Sequence, residues 1–271
     1  MATAVFLHAH PDDEALATGG TMARLADEGH RVVLVVATNG EEGEPVEGVL
    51  DEGEALGDRR ATEVADAAAI LGVARVEYLD YRDSGMAGAA TNDHPDCFWQ
   101  ADVDEAAARL GGLLADEQVD LAVVYDPNGG YGHPDHIQVH RVGTRWAEQA
   151  AIGRVRWVTL NRDSIRRSIE EALATGDLDG MAAATLEERR ERAGQEAFGT
   201  PADDITHAVD VSRVVERKLA AIAAHASQIA PDSFFLSMPV ERFASAFGTE
   251  WFVDPDAPRN GEPFRTGLLL D

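Results

Sequence analysis

An α/β fold with a mostly parallel sheet and helices on both faces is predicted by three features of the chain. Ala4–Leu7, Arg31–Thr38 and Leu121–Tyr125 are near-continuous apolar, β-branched runs without polar alternation, as strands covered on both faces are. The first and last of these runs end in His- and Asp-rich clusters that lead into helical patterns. Strand, helix and strand fit between residues 4 and 38, the extent of a βαβ unit with a right-handed crossover. Together they predict a Rossmann-like arrangement with its chemistry at the carboxyl ends of the strands.

Taken in order, residues 4–10 read as a buried first strand. A helix over 21–28 is stopped by Gly29, and the second strand occupies 31–38. Residues 39–58 form a long loop rich in Gly and Glu, a length that is often functional. A helix over 59–71 closes at Gly72 and a third strand covers 75–81. A loop then runs to residue 100, a helix spans 102–116, and the fourth and fifth strands are 121–125 and 154–160. Residues 161–200 read as helical, Arg- and Glu-rich surface. Asp210 reads as the cap of a long helix reaching Ala226, and the tail from Ser227 is expected to wrap over the sheet. With no repeat, low-complexity tract or linker, residues 1–271 are expected to form a single domain.

Composition removes several classes of partner. A formal net charge of -26 argues against nucleic acid, which needs a basic face. Lys218 is the sole lysine, so the basic residues are otherwise arginines on a strongly acidic surface. No apolar run is long enough to span a bilayer, and Met1-Ala2-Thr3 lacks the basic start of a signal peptide. Cys97 stands alone, so no internal disulfide forms and a cytoplasmic location is expected. Oligomeric state leaves no trace in the sequence.

The chemistry is carried by His8-Ala9-His10-Pro11-Asp12-Asp13-Glu14 and by Tyr125-Asp126-Pro127-Asn128-Gly129-Gly130-Tyr131-Gly132-His133-Pro134-Asp135-His136. A single His-Pro-Asp is most often a turn with a capping Asp, but two such clusters at two strand ends predict a metal site. Catalytic zinc takes about three His or carboxylate ligands and keeps a position for water. His10 and Asp13 supply two from one turn, and His136 or His133 supplies the third, with His140 a substitute one helical turn on. Asp12, left beside the metal, is placed to act as general base. His133 is the candidate acid or carbonyl-polarising group, oriented by Asp135, and Tyr131 is a candidate donor to the developing oxyanion. His8 reads as a satisfied strand histidine. His30, His94 and His207 read as loop or surface residues, and His225 stays open. The pattern describes a mononuclear zinc hydrolase.

These paired motifs resemble the PIG-L (LmbE-like) family of zinc-dependent N-deacetylases over most of the chain, more weakly between 161 and 205. The resemblance implies zinc, or another divalent metal such as Fe2+, on His10, Asp13 and His136. It implies Asp12 as base, His133 as electrostatic or acid partner supported by Asp135, and Tyr131 at the oxyanion. Gly40-Glu41-Glu42-Gly43-Glu44, Arg60-Ala61-Thr62-Glu63 and Arg82-Asp83-Ser84-Gly85-Met86 further resemble the mycothiol-pathway branch, in which a deacetylase acts on N-acetylglucosaminyl-inositol and an amidase on mycothiol conjugates. Residues matching Glu44, Arg60 and Asp83 would there contact sugar and inositol hydroxyls, a chemistry suited to charge-assisted hydrogen bonds. Ala17 departs from the polar residue usual in that branch, and His225 to Asp232 is closer to the amidase. The expected reaction is removal of an N-acetyl group from a small-molecule amino sugar or glycoside, with conjugate amide cleavage as the alternative. A dinucleotide-binding protein is disfavoured, since Gly19-Gly20 is no Gly-x-Gly-x-x-Gly fingerprint. A non-catalytic metal-binding module is the most distant reading.

Overall fold

The apolar runs become the centre of the sheet. β1 (Thr3–His8), β2 (Arg31–Thr38) and β4 (Leu121–Tyr125) are buried almost end to end, as strands covered on both faces must be. β3 (Arg75–Tyr81) and β5 (Val155–Thr159) flank them, and β6 (His207–Asp210) and β7 (Thr249–Val253) complete a seven-stranded sheet in the order β3-β2-β1-β4-β5-β7-β6. The first five strands are mutually parallel, and β7 runs antiparallel to both β5 and β6. The computed structural model describes residues 1–175 and 183–269.

The helices are α1 (Gly19–Asp27), α2 (Leu56–Leu71), α3 (Val103–Leu113), a single turn α4 (Gly129–Gly132), α5 (Pro134–Gln149), α6 (Arg162–Thr175), α7 (Ala183–Ala193), α8 (Val215–Ala224) and α9 (Val240–Phe247). From β1 the chain steps outward through α1 and α2 to β3, then returns through α3 to the other side of β1 and on through α5 to β5. Right-handed crossovers in opposite directions put α1 and α2 on one face and α3 and α5 on the other. α8 joins α1 and α2. α5 lies tight on β4, because a Cβ at Gly143 would stand 2.3 Å from Val124 Cγ1. Phe6, Leu34, Leu79, Leu110 and Phe252 fill the core, and full burial of each such side chain contributes about 1.5–3 kcal/mol.

Two sequence expectations need correction. The segment from Asp210 is no continuous long helix. Asp210 ends β6 and its Oδ1 accepts Ser212 N (2.9 Å) at a 3-10 turn that precedes α8. The tail does not merely cover the sheet but inserts β7 into it, between β5 and β6. Thr249, Trp251, Phe252 and Val253 are good strand formers, and Phe252 is fully buried. Glu250, in the middle of that strand, takes Gly20 N and Thr21 N (2.8 Å each), filling the start of α1, and pairs with Lys218 Nζ (2.7 Å). This carboxylate occupies the helix N-terminus that a dinucleotide pyrophosphate would need. In the helical stretch expected over 161–200, α6 and α7 are present, residues 176–182 lie outside the described residues, and the helix ends at Ala193. No helix among the described residues is long and apolar enough to cross a membrane.

Candidate metal centre and active site

β1 and β4 are neighbours from which the chain departs in opposite directions, so the crevice between their carboxyl ends is the topological switch point of the sheet. Both motifs empty into it.

On the β1 side, Thr38 N and Oγ1 hold Ala9 O (3.0 and 3.2 Å) and fix the turn to β2. Asp13 then folds back: its Oδ2 accepts His10 N (3.0 Å) and lies 3.2 Å from His10 Nδ1. Asp12, between them, has φ 101, a conformation that glycine tolerates and other residues adopt only under constraint. The constraint is visible. Its N–H donates to Glu14 Oε2 (2.9 Å), and its Oδ2 receives Arg60 Nη2 (3.2 Å). Arg60 also donates to Pro11 O and, through Nη1, to Gly40 O (2.7 Å).

On the β4 side, Asp126 Oδ1 accepts Asn128 N (2.9 Å) and Gly130 N (3.0 Å), while its Oδ2 takes the Thr159 hydroxyl (2.5 Å). The loop so formed needs glycine at 129, where φ is 63 and a Cβ would stand 2.6 Å from His136 Cβ. That close approach brings Gly129 O to His136 Nδ1 (3.2 Å). A carbonyl can only accept, so Nδ1 carries a hydrogen and Nε2 is the nitrogen turned toward Asp13. His136 Nε2 is buried without a hydrogen-bond partner, yet 3.2 Å from Asp13 Oδ2. Tyr125 stacks on the His136 ring (4.2 Å between centroids) and fixes its plane. His133 caps α5, with Pro134 in its first turn, and its Nδ1 accepts Asp135 N (3.2 Å).

The motifs therefore meet. One ring nitrogen from each of His10, His133 and His136 lies within 4.8 Å of the others, and Asp13 Oδ2 touches both His10 and His136. A second group of potential ligands joins His10 to Asp83 and Asp135. These donors fit a metal ion, and the partnerless Nε2 of His136 is the atom that such an ion would satisfy.

Electrostatics separates the roles. Burial pushes Asp12 up to about 7, aided by the charge of Asp13 and opposed by Arg60. Asp13 goes the other way: burial opposes its charge, but His136 and His10 hold it well below the usual carboxylate range. Burial, with His10 and His136 alongside, lowers His133 to about 3, so its ring is neutral. With Nδ1 accepting, the hydrogen of that neutral ring is on Nε2. Burial would lower His10, but hydrogen bonds with Asp13, Asp135 and Asp83 raise it well above its ordinary value. Burial and the neighbouring Asp13 push the Tyr131 hydroxyl up, so it remains a proton donor.

Several expected partners are rearranged. The Asp135 carboxylate bonds to His10 Nε2 (3.1 Å), Ser84 N (2.9 Å) and the Ser84 hydroxyl, and its link to His133 is through the backbone N–H alone. His140 turns away from the centre: its Nδ1 bonds to Tyr125 O (2.9 Å) and its ring meets Trp157. It lies outside the two groups of potential ligands. Tyr131 is present, its ring 4.9 Å from that of His136 and 6.3 Å from that of His133. Of the residues expected at the substrate, Glu44 is exposed on the 39–55 loop, but Arg60 and Asp83 are buried in internal bonds. Asp83 accepts Gly85 N (2.8 Å) and Glu42 N (3.3 Å) and has Oδ1 3.5 Å from His10 Nε2. His8 is a satisfied strand histidine, between the Tyr125 hydroxyl (2.9 Å) and the Thr18 hydroxyl (2.8 Å). His207 is not a surface residue; it is fully buried in β6 beside Thr206 Oγ1 (2.7 Å). His225 is buried too, against Glu14 Oε1 (2.6 Å).

Sequence reasoning missed Ser84, although it sits inside a motif singled out above, and Arg192 of α7, whose guanidinium lies 5.1 Å above the Tyr131 ring. Nothing in the helical pattern of α7 marks Arg192, since its partner belongs to a distant loop.

The fold and this cluster define an α/β protein with a group of buried His and Asp donors that could hold a metal ion at its switch point. The chain belongs to the PIG-L family: the model described as GlcNAc-PI de-N-acetylase matches residues 5–147, which hold both motifs. It is 44% identical over 287 aligned residues to a 1D-myo-inositol 2-acetamido-2-deoxy-alpha-D-glucopyranoside deacetylase of Thermobifida fusca, covering 98% of both chains. It is 41% identical to the protein of the same name from Acidothermus cellulolyticus, covering 92% of this chain and 87% of the relative. Among solved structures, an N,N'-diacetylchitobiose deacetylase from Pyrococcus horikoshii shares the fold, with a TM-score of 0.56 at 24% identity over 92% of this chain and 82% of that one.

Proposed function

We propose that this chain is a zinc-dependent hydrolase that removes the acetyl group from an N-acetylglucosaminyl-inositol type glycoside. The carrying observation is the meeting of His10, Asp13 and His136 around the partnerless Nε2 of His136, with the carboxylate of Asp12 beside them. The names of relatives above 40% identity favour this substrate class over the mycothiol-conjugate amidase suggested by residues 225–232.

His10 Nδ1, Asp13 Oδ2 and His136 Nε2 would hold the ion. Asp135 would sit behind His10, its carboxylate on Nε2 fixing the ring, as outer carboxylates do for metal-bound histidines. When bound, zinc supplies a Lewis acid that acidifies water and polarises the amide carbonyl. Asp12 takes the proton of the attacking water, a task for which a value of about 7 is well matched. His133 donates from Nε2 to the carbonyl oxygen as it becomes negative, and Tyr131 adds a second donor. The C–N bond breaks as Asp12 returns its proton to the departing amine, leaving acetate and the free amino sugar.

The experiment is acetate release by zinc-loaded protein from N-acetylglucosaminyl-inositol and from a mycothiol conjugate. Turnover of the glycoside supports the reading, cleavage of the conjugate alone replaces it with the amidase, and zinc binding without turnover of either leaves a metal-binding module.

A further inference from the structure

The strained turn at Asp12 is held by a chain of buried groups that runs from the end of the first motif to the end of α8. Asp12 N–H donates to Glu14 Oε2 (2.9 Å), and Glu14 Oε1 meets His225 Nε2 (2.6 Å). Both Glu14 and His225 are 0% exposed. Their contact joins the β1 turn to a residue 211 positions later, at the end of α8. His225 is fixed in turn: its carbonyl accepts Gln228 N (3.0 Å) and Ile229 N (2.8 Å), and Ser227 is clamped by both oxygens of Glu63 (2.8 and 2.6 Å). From the opposite side Arg60 holds the Asp12 carboxylate (3.2 Å).

We infer that His225 and Glu14 are positioning residues for the base: His225 orients the Glu14 carboxylate so that it grips the Asp12 N–H and thereby aims the Asp12 side chain. The inference rests on the reading of Asp12 as general base. It explains why a non-glycine residue is held at φ 101 beside the donor cluster. A carboxylate with one oxygen on His225 and the other on Asp12 N–H can tolerate no rotation without losing a buried bond. Neither residue touches the donor atoms of His10, Asp13 or His136, so loss of the chain of bonds separates turnover from metal binding.

The test uses the zinc-loaded full chain as wild type, Glu14→Gln, His225→Leu and His225→Gln. Glu14→Gln keeps the volume but turns an amide NH2 toward either His225 or Asp12 N–H. It is expected to lower kcat by about tenfold to a hundredfold, the cost of a small misplacement of a reacting group, with KM and zinc stoichiometry unchanged. Exchange of the Asp12 amide hydrogen is expected to accelerate at least about tenfold as its buried bond is lost. His225→Leu should do the same, and His225→Gln, which keeps an N–H donor, should recover most of the lost kcat. Wild-type kcat in Glu14→Gln, or Asp12 amide exchange unchanged in it, would overturn the inference, as would loss of zinc in step with activity. If His225→Leu fails to fold, the near-isosteric Glu14→Gln decides. A wild-type protein without turnover overturns the deacetylase reading alone, because Asp12 amide exchange still reports on the positioning bond.

Discussion

Asp13 Oδ2 lies 3.2 Å from His136 Nε2, so the turn after β1 and the helix after β4 meet at the centre of the site. Neither motif assembles this donor cluster alone. The sheet completes it, because β1 and β4 are neighbours running the same way.

The proposed third ligand is His136, on the strength of this contact. His136→Ala should lose the bound metal, whereas His140→Ala should keep one zinc per chain, since His140 is bonded to Tyr125 O and turned toward Trp157. Elemental analysis of the two purified variants decides. A metal-free His140→Ala would return His140 to the ligand set.

The Asp135 carboxylate bonds to His10 rather than to the His133 ring. Asp135→Asn should therefore weaken zinc affinity roughly 10- to 100-fold, the usual cost of losing an outer carboxylate. Competition with a chelator measures this. If kcat fell while zinc affinity held, the carboxylate would serve His133 after all.

The Lys218–Glu250 pair is buried, with Glu250 also holding the start of α1. Lys218→Met should cost about 3–5 kcal/mol, because it strands a buried carboxylate without its cation. Denaturant unfolding measures the loss, and a loss below about 1 kcal/mol would mean that the α1 amides alone satisfy Glu250.

Burial lowers the His8 ring to about 4 against 6.5 in the unfolded chain. Between those values the unfolded chain binds a proton that the folded chain refuses, so stability falls as pH drops from 6.5 toward 4 and is unaffected above. The loss attributable to His8 is about 3 kcal/mol. Unfolding of wild type and His8→Gln across that range should show their stability difference shrinking as pH falls. Parallel curves would mean that His8 is not the group that titrates.

Much of this was legible in the sequence. β1, β2 and β4 declared themselves because strands buried on both faces need unbroken apolar runs, and the His and Asp clusters lie directly at their ends. β6 and β7 did not. β6 has four residues, and Glu250 breaks the pattern of β7 with a charge whose partner, Lys218, is on another element. The same reason hid Glu14 and His225, whose meaning depends on a contact spanning the fold. The family resemblance offers Arg60 and Asp83 as substrate contacts, but local sequence shows only their charge and not their partners within the fold. Folding turns Arg60 onto the Pro11 carbonyl and Asp83 onto the Glu42 and Gly85 amides.

The central claim is that Asp12 is the base and not a ligand. It is tested most directly by measuring zinc content and acetate release together for wild type and Asp12→Asn on N-acetylglucosaminyl-inositol. One zinc per chain is expected in both proteins, with a kcat about 10²- to 10⁴-fold lower in the variant. Loss of zinc from Asp12→Asn, or turnover close to wild type, would contradict it.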